Sequence, residues 1–504
     1  MKRLLNFDRG IRAVADLLML NVSFLLSDII IKAFFPPVGF QWNQFFYKLP
    51  EHIYGMILVN IIALIVFHMN GFYTRSRAYQ SRYKALVIVQ AVCVCYLIFG
   101  FANYLVDSNF ISPAVLILSW VLSIGFLVSA RLWSLIWRKV ILNEVGQQNR
   151  AIQVVNDKEV LVIGGAGYIG SALLPLLLEE GYSVRILDAF IYGDSAIKPY
   201  LTHPKVKIYR ADFRQIDKIV EAVKGVNSVI HLGALVGDPA CALDENLTIE
   251  INLMATRMIA EVCKGFGVRN FIFASTCSVY GASDDVLDER SKLNPVSLYA
   301  RSKIACEKIL LELASDKFSP VILRFSTIFG FSGRTRFDLV VNLLTAKAYI
   351  DQEITVINGD QWRPFLHVED AARSVVAALK APRELVHAQV YNVGNNNLNY
   401  TLLQMGELVA HLVPNAKLIL SESDQDRRNY RVDCSKIQRD LKYFTKWTLE
   451  DGIRQMIKAF AENKLQDYKS AEYSNVKSLM ERGAKDQLSA QSILNFQDLL
   501  IVEA

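Results

Sequence analysis

Two kinds of apolar pattern divide the chain. In its first quarter four long apolar stretches follow one another, over 13–34, 53–69, 85–105 and 114–136, with almost no charge inside them. Most reach the length of about 20 residues that crosses a bilayer as a helix, and the second sits at the short limit. From residue 159 the texture changes to short apolar runs at 159–163, 183–188, 206–211, 228–233, 270–275 and 321–326, separated by amphipathic stretches, notably Asn246–Phe266 and Tyr299–Ala314. Continuous apolar strands between amphipathic helices predict a parallel sheet covered on both faces. Right-handed crossovers make such a sheet doubly wound, with its ligand at the carboxyl ends of the strands. Beyond Gly330, shorter strands (354–357, 389–393) and helices (338–350, 369–380, 401–413, 448–461) predict a smaller, substrate-capping part. The expected α/β architecture is a transmembrane anchor of four helices over 1–143, a linker over 144–158, a doubly wound Rossmann domain over 159–462 divided near residue 330, and a polar tail over 463–504.

Charge gives the anchor an orientation. Lys2, Arg3, Arg9 and Arg12 precede the first stretch, Arg75, Arg77, Arg82 and Lys84 separate the second from the third, and Arg138 and Lys139 follow the fourth. By the positive-inside rule both ends of the anchor lie in the cytoplasm. The expected location is the inner (cytoplasmic) membrane, with the catalytic domain on the cytoplasmic side. The first stretch is too long for a cleaved signal peptide. Residues 1–143 carry a net +8 and the remainder a net −2, so the basic balance serves anionic head groups and gives no argument for nucleic acid. Asp16, Asp28 and Arg131 lie in or beside the stretches, where a structural pair is the default expectation. Trp133 and Trp137 suit an interfacial belt. Seven scattered cysteines without a Cys-x-x-Cys pair fit reduced thiols and suggest no metal site.

The candidate chemistry begins at Gly164-Gly165-Ala166-Gly167-Tyr168-Ile169-Gly170, directly behind the run Val160–Ile163. Gly164 suits the tight turn, Gly167 a close approach to a pyrophosphate, and Gly170 close helix packing. The helix N-terminus then faces the phosphates. Asp188 ends the second strand, where its carboxylate bonds a ribose 2′-hydroxyl and favours NAD(H) over NADP(H). Ser275-Thr276-Cys277-Ser278 leaves the fifth strand, and Tyr299 and Lys303 follow, four apart on one helical face. An ammonium near a phenol favours phenolate, so Tyr299 can act as a base. Tyr473 and Lys477 share the spacing, but in the polar tail they read as a solvated helix face.

These residues resemble the extended short-chain dehydrogenase/reductases, and within them the UDP-glucose 4-epimerase-like enzymes, over about residues 159–460. The fingerprint, Asp188, Asp212-Phe213, His231-Leu232-Gly233-Ala234, Asn252, Ser-Thr before Val-Tyr-Gly, the tyrosine–lysine pair and Arg363-Pro364-Phe365 stand in family order. The resemblance implies an NAD site made by Gly164, Gly167, Tyr168, Ile169, Gly170, Asp188, Asp212, Phe213, Leu232, Gly233, Ala234 and Asn252, with Tyr299 and Lys303. Asp212 is implied to meet the adenine, Lys303 to hold the nicotinamide ribose, Thr276 to orient the reacting hydroxyl and Arg363 to contact the substrate diphosphate. Ser278 and Thr327 join Arg363 as substrate-side candidates; Thr327 stands where such epimerases often have Asn. The family's 4,6-dehydratases resemble Thr-Asp-Glu where this chain has Thr276-Cys277-Ser278, so dehydration is disfavoured and 4-epimerisation through a 4-keto sugar is the leading expectation. The anchor resembles those of polysaccharide-pathway proteins, at Gly71-Phe72-Tyr73 above all. The expected partners are a nucleotide sugar or a polyprenyl-linked sugar, the bilayer, a second copy of the chain paired through Asn246–Phe266 and Tyr299–Ala314, and membrane glycosyltransferases. A dehydratase, a reductase and an NAD-binding membrane scaffold are the competing readings.

Overall fold

The computed structural model describes residues 2–34, 49–70, 84–106, 111–130, 156–423 and 428–481. The chain divides into two units, Met1–Ile141 and Leu142–Ala504. In the first unit the apolar stretches form helices α1 (Lys2–Phe34), α2 (Leu49–Met69), α3 (Lys84–Val106) and α4 (Pro113–Ala130). Three segments, Ala13–Phe34, Val87–Leu105 and Pro113–Ala130, are long and apolar enough to cross a membrane, whereas the apolar part of α2, Ile53–Met69, is shorter. The helices bury Leu20, Phe24, Ala63, Phe67, Ala91 and Phe99 against one another. Polar side chains inside this unit find local acceptors: Ser23 and Ser27 donate to carbonyls one turn back, and Lys32 pairs with Asp28 at 2.7 Å. Arg131, Trp133, Trp137, most of the expected linker and residues 71–83 lie outside the described residues.

The second unit is built on a seven-stranded sheet. Its strands are β1 (Asn156–Ile163), β2 (Ser183–Asp188), β3 (Val206–Arg210), β4 (Val226–His231), β5 (Asn270–Thr276), β6 (Ser319–Phe325) and β7 (Gln389–Val393). All neighbours are parallel, in the order β7-β6-β5-β4-β1-β2-β3. The unbroken apolar runs follow from burial on both faces. In β1, Val160 and Val162 enter one core while Leu161 and Ile163 enter the other. Helix α5 (Tyr168–Glu179) covers the first face, and α6 (Ala255–Gly265) and α7 (Leu298–Leu313) cover the second.

Several sequence expectations need correction. Residues 389–393 do not belong to the capping part. They form β7, the outer strand beside β6, because Tyr391 and Val393 are buried in the same core as Leu323 and Phe325. Helix α8 (Val368–Lys380) likewise packs Ala371, Val375 and Leu379 onto that core beside α5. The capping part is therefore smaller, formed around Phe329, Phe365, Val341 and Met405. The expected helix over 246–266 is interrupted: Ile249–Met254 is a π-helical turn before α6 begins. Residues 156–158, assigned to the linker, already pair in β1. Tyr473 and Lys477 do not share one solvated helix face, and residues 482–504 of the tail lie outside the described residues. Tyr473 ends a 3₁₀ turn and packs edge-on to Phe337, while Lys477 belongs to the separate helix α9 (Asn475–Glu481).

Candidate active site

The loops after β1, β2 and β4 meet at the carboxyl edge of the sheet. Gly164 has φ +81°, and a Cβ there would fall 2.6 Å from the backbone nitrogen of Gly233. A Cβ on Gly170 would fall 2.4 Å from the carbonyl oxygen of Gly165. Gly167 N-caps α5 without any capping side chain, so the first amides of that helix remain directed outward. Asp188 stands at the end of β2 and accepts from the amides of Ala166 (2.9 Å) and Phe190 (2.8 Å). Burial holds its carboxyl above the ordinary aspartate value, against the pull of these two amides. The cradle thus fits a dinucleotide: an uncapped helix end, two places where only glycine fits, and an acid at the neighbouring strand tip.

Other expected cofactor residues act through the backbone or through partners the sequence did not announce. The Tyr168 hydroxyl donates to the carbonyl of Gly330 at 2.7 Å, and Ile169 packs into the core. The amides of Leu232 and Gly233 both donate to the Ile163 carbonyl at 2.9 Å, and Ala234 continues that loop. The Phe213 ring closes on Gly233, where a Cβ would come within 2.8 Å. Asp212 is gripped by its own neighbour: Arg214 donates to it from Nε (2.9 Å), Nη2 (2.6 Å) and its amide (2.8 Å). Asn252, on the π-helical turn, accepts from the Leu235 amide and donates to its carbonyl, at 2.8 and 2.9 Å. It is a clamp on the loop after β4; an extra residue in the turn suits such a local re-aiming.

The catalytic candidates come from β5 and α7. Thr276 ends β5 and accepts from the Ser278 amide at 3.1 Å. Ser297 caps α7, so Tyr299 and Lys303 occupy its first two turns. The Lys303 ammonium donates to the Ala274 carbonyl at 2.8 Å and lies 4.6 Å from the Phe273 ring centre and 5.8 Å from that of Tyr299. Burial pushes the Tyr299 phenol above its ordinary value and pulls the Lys303 amine below its own. The Arg336 guanidinium pulls the Tyr299 phenol the other way. Desolvation is the dominant influence on both groups.

Two of the substrate-side candidates, Ser278 and Arg363, lie beside Tyr430. The Ser278 Oγ lies 3.4 Å from the Tyr430 hydroxyl, and the Arg363 guanidinium 5.9 Å from the Tyr430 ring centre. Arg363 donates to the carbonyls of Trp362 and Arg428 and to Gln361 Oε1. Thr327 lies on the strand paired with the one carrying Arg363, opposite Phe365. Cys277 turns the other way, with its thiol donating to the Arg324 carbonyl at 3.2 Å inside the core.

Sequence reasoning passed over the polar network behind this edge. Glu307, one turn beyond Lys303, accepts from Arg324 on β6 and from Ser275 on β5; Arg324 also donates to the Tyr280 hydroxyl at 2.9 Å. A charge inside the apolar run of β6 was the available signal. His231 and His367 are both buried, each with one ring nitrogen bonded. His231 Nε2 meets Thr256 Oγ1 at 2.9 Å, and His367, stacked on Trp447, meets Gln455 at the same distance. Burial lowers their pKa values to about 3 and about 4.

Residues 160–394 match the NAD dependent epimerase/dehydratase family. The chain is similar to the UDP-glucose 4-epimerase of Mus musculus, 30% identical in an alignment of 285 residues that covers 49% of this chain and 80% of that protein. It is also similar to the UDP-glucuronate 4-epimerase of Thermodesulfobacterium geofontis, 26% identical over 321 residues, 60% of this chain and 96% of that protein. Among solved structures, UDP-glucuronic acid 4-epimerase from Bacillus cereus, in complex with UDP-glucuronic acid and NAD, superposes with a TM-score of 0.55 at 25% identity. It covers 60% of this chain and 99% of its own.

Proposed function

The chain belongs to the NAD dependent epimerase/dehydratase family, and from that premise we propose that it is a membrane-anchored sugar 4-epimerase acting on a nucleotide sugar. The observation that carries the reading is the pairing of Tyr299 and Lys303, at the carboxyl edge of β5, with a Cys277 thiol buried in the core and a Ser278 hydroxyl beside Tyr430. The first pair supplies a base. The second supplies no carboxyl acid where the family's dehydratases resemble Asp-Glu, so water has no evident proton donor for its departure.

NAD is the cofactor of this reading and supplies the hydride acceptor and donor when bound. The glycine cradle, the α5 N-terminus and Asp188 hold it; Lys303 is the ribose candidate. Tyr299 removes the proton of the C4 hydroxyl and returns it at the end of the cycle. Thr276 orients that hydroxyl, and Ser278, Thr327 and Arg363 serve the sugar and its diphosphate. The 4-keto sugar turns over between the two proton transfers, so either face of C4 can be reduced.

The three helices long and apolar enough to span a membrane, together with α2, support a four-span anchor whose flanking arginines and lysines put both ends in the cytoplasm. Its role in this reading is to hold the site near the lipid carriers of surface-polysaccharide assembly. A nucleotide sugar is preferred to a polyprenyl-diphosphate sugar because the relatives are UDP-sugar enzymes. A truncation starting near Asn156 tests that preference. Near-parent turnover of UDP-sugars supports it. A folded, NAD-binding fragment inactive on every nucleotide sugar, beside a full chain that converts polyprenyl-diphosphate sugars, reverses it.

A further inference from the structure

From residue 463 to 481 the chain stays on the domain. Leu465 and Tyr468 are buried with Phe337, Met456 and Phe460, and the Phe337 amide donates to the Tyr473 carbonyl at 2.9 Å. Helix α9 then crosses to the loop that follows β4. Leu479 is buried in one cluster with Leu235, Ala240, Cys241 and Ile251, against which Tyr299 and Ile191 also pack. Asn475, 3% exposed, ties the crossing. Its Nδ2 donates to the Val236 carbonyl (3.1 Å), its Oδ1 accepts from Arg334 Nη2 (2.8 Å), and its amide donates to Asp338 (3.2 Å).

Arg334 is the unusual member of this seat. Its guanidinium lies 3.6 Å from the ring centre of Tyr192, on the loop that follows Asp188 at the end of β2. Arg336 is forked onto Asp338, with two contacts of 2.9 Å. Arg334, 7% exposed, makes no ion pair within 4.0 Å among the described residues, and its Nε has no hydrogen-bond partner. Burial lowers its pKa to about 10. Asp238 Oδ1 and Ser478 Oγ, on the two sides of the same seat, are likewise buried without partners. Asp188 and Asp338 act on Arg334 only from a distance, without a direct ion pair, and its Nε is left unmet; a buried guanidinium in that state has bonding capacity that a phosphate oxygen can complete. Ser332, two residues before Arg334, accepts from Ser171 at 3.3 Å on the first turns of α5, where the pyrophosphate of a dinucleotide belongs.

We propose that residues 463–481 form a strap that closes the dinucleotide cleft, with Asn475 as the positioning residue that holds Arg334 to a phosphate of the bound cofactor. The proposal rests on the reading of this cleft as an NAD site. A strap shut over the cofactor slows its release, which suits an enzyme that regenerates its cofactor within each cycle.

The test uses the full chain in detergent and reads NAD+ release and hydrogen exchange. Asn475→Ala releases NAD+ at least tenfold faster than the parent, whereas Asn475→Asp, which keeps an acceptor for Arg334, lies closer to the parent. In the parent, added NAD+ slows amide exchange across 475–481, a readout that stands even if a variant fails to fold. Release within twofold of the parent for Asn475→Ala, or unchanged exchange at 475–481 in a chain that binds NAD+, overturns the strap while leaving the NAD site intact. A parent chain that binds no NAD+ overturns both.

Discussion

Glu307 and Arg324 face each other between α7 and the sheet, joined by two N–H···O contacts of 3.1 and 2.7 Å, with both side chains about 5% exposed or less. The pair fixes α7 against β5 and β6, four residues beyond Lys303. Breaking one side of a buried pair strands the other charge, so Glu307→Ala should cost roughly 3–5 kcal/mol. Thermal melting of the variant should show it, and replacing both residues by Met should cost less than the single change. A single variant that melts with the parent removes the positioning role.

Tyr299→Phe should lower turnover by roughly 10²- to 10⁴-fold, the usual contribution of a general base, and leave NAD bound. Rates within threefold of the parent would exclude Tyr299 as the base.

Burial holds the Tyr299 phenol above its ordinary value. A base held mostly protonated near neutrality is ionised further as pH rises, so kcat/KM should climb from about pH 6 to about pH 9. A profile that falls over this range contradicts the assignment.

His231 and His367 have folded-state pKa values lowered to about 3 and about 4. In the unfolded chain they take up protons near pH 6.5. The unfolded state therefore binds more protons below that pH, and stability falls as pH drops from about 6.5 towards 4. Each histidine contributes a slope of about 1.4 kcal/mol per pH unit in the middle of that window. Denaturant titrations at several pH values measure it, and His231→Asn should flatten the slope.

Much of this fold was legible because its signals are local. The glycine turn, the strand before it and Asp188 lie within about thirty residues, and their physics needs no distant partner. The capping boundary was misread because β7 is a short apolar run, and nothing nearby says which sheet will accept it; that depends on Leu323 and Phe325, some seventy residues earlier. Asn475 was invisible for the same reason. Its partners Val236 and Arg334 lie 239 and 141 residues away, and polar composition alone does not separate a buried tie from a solvated tail. The roles of Asp212 and Asn252 were assigned by resemblance, while their bonds to Arg214 and Leu235 emerge only in three dimensions.

The helices expected to pair two copies leave Met254 59% and Leu311 36% exposed. A symmetric dimer would bury such residues against themselves. Met254→Glu with Leu311→Glu should convert a dimer into a monomer by light scattering in detergent. A parent chain that is already monomeric removes the expectation.

Inversion at C4 without loss of water leaves a signature in a deuterium label. Purified full-length protein is given UDP-glucose, and then other UDP-sugars, carrying deuterium at C4, and the products are followed by NMR and mass spectrometry. A 4-epimerase yields the C4 epimer with deuterium retained at C4, no net change in NAD redox state and no accumulating keto sugar. A dehydrated 4-keto-6-deoxy product with the label moved to C6, or a stable reduced or oxidised sugar formed in step with NAD turnover, would contradict it.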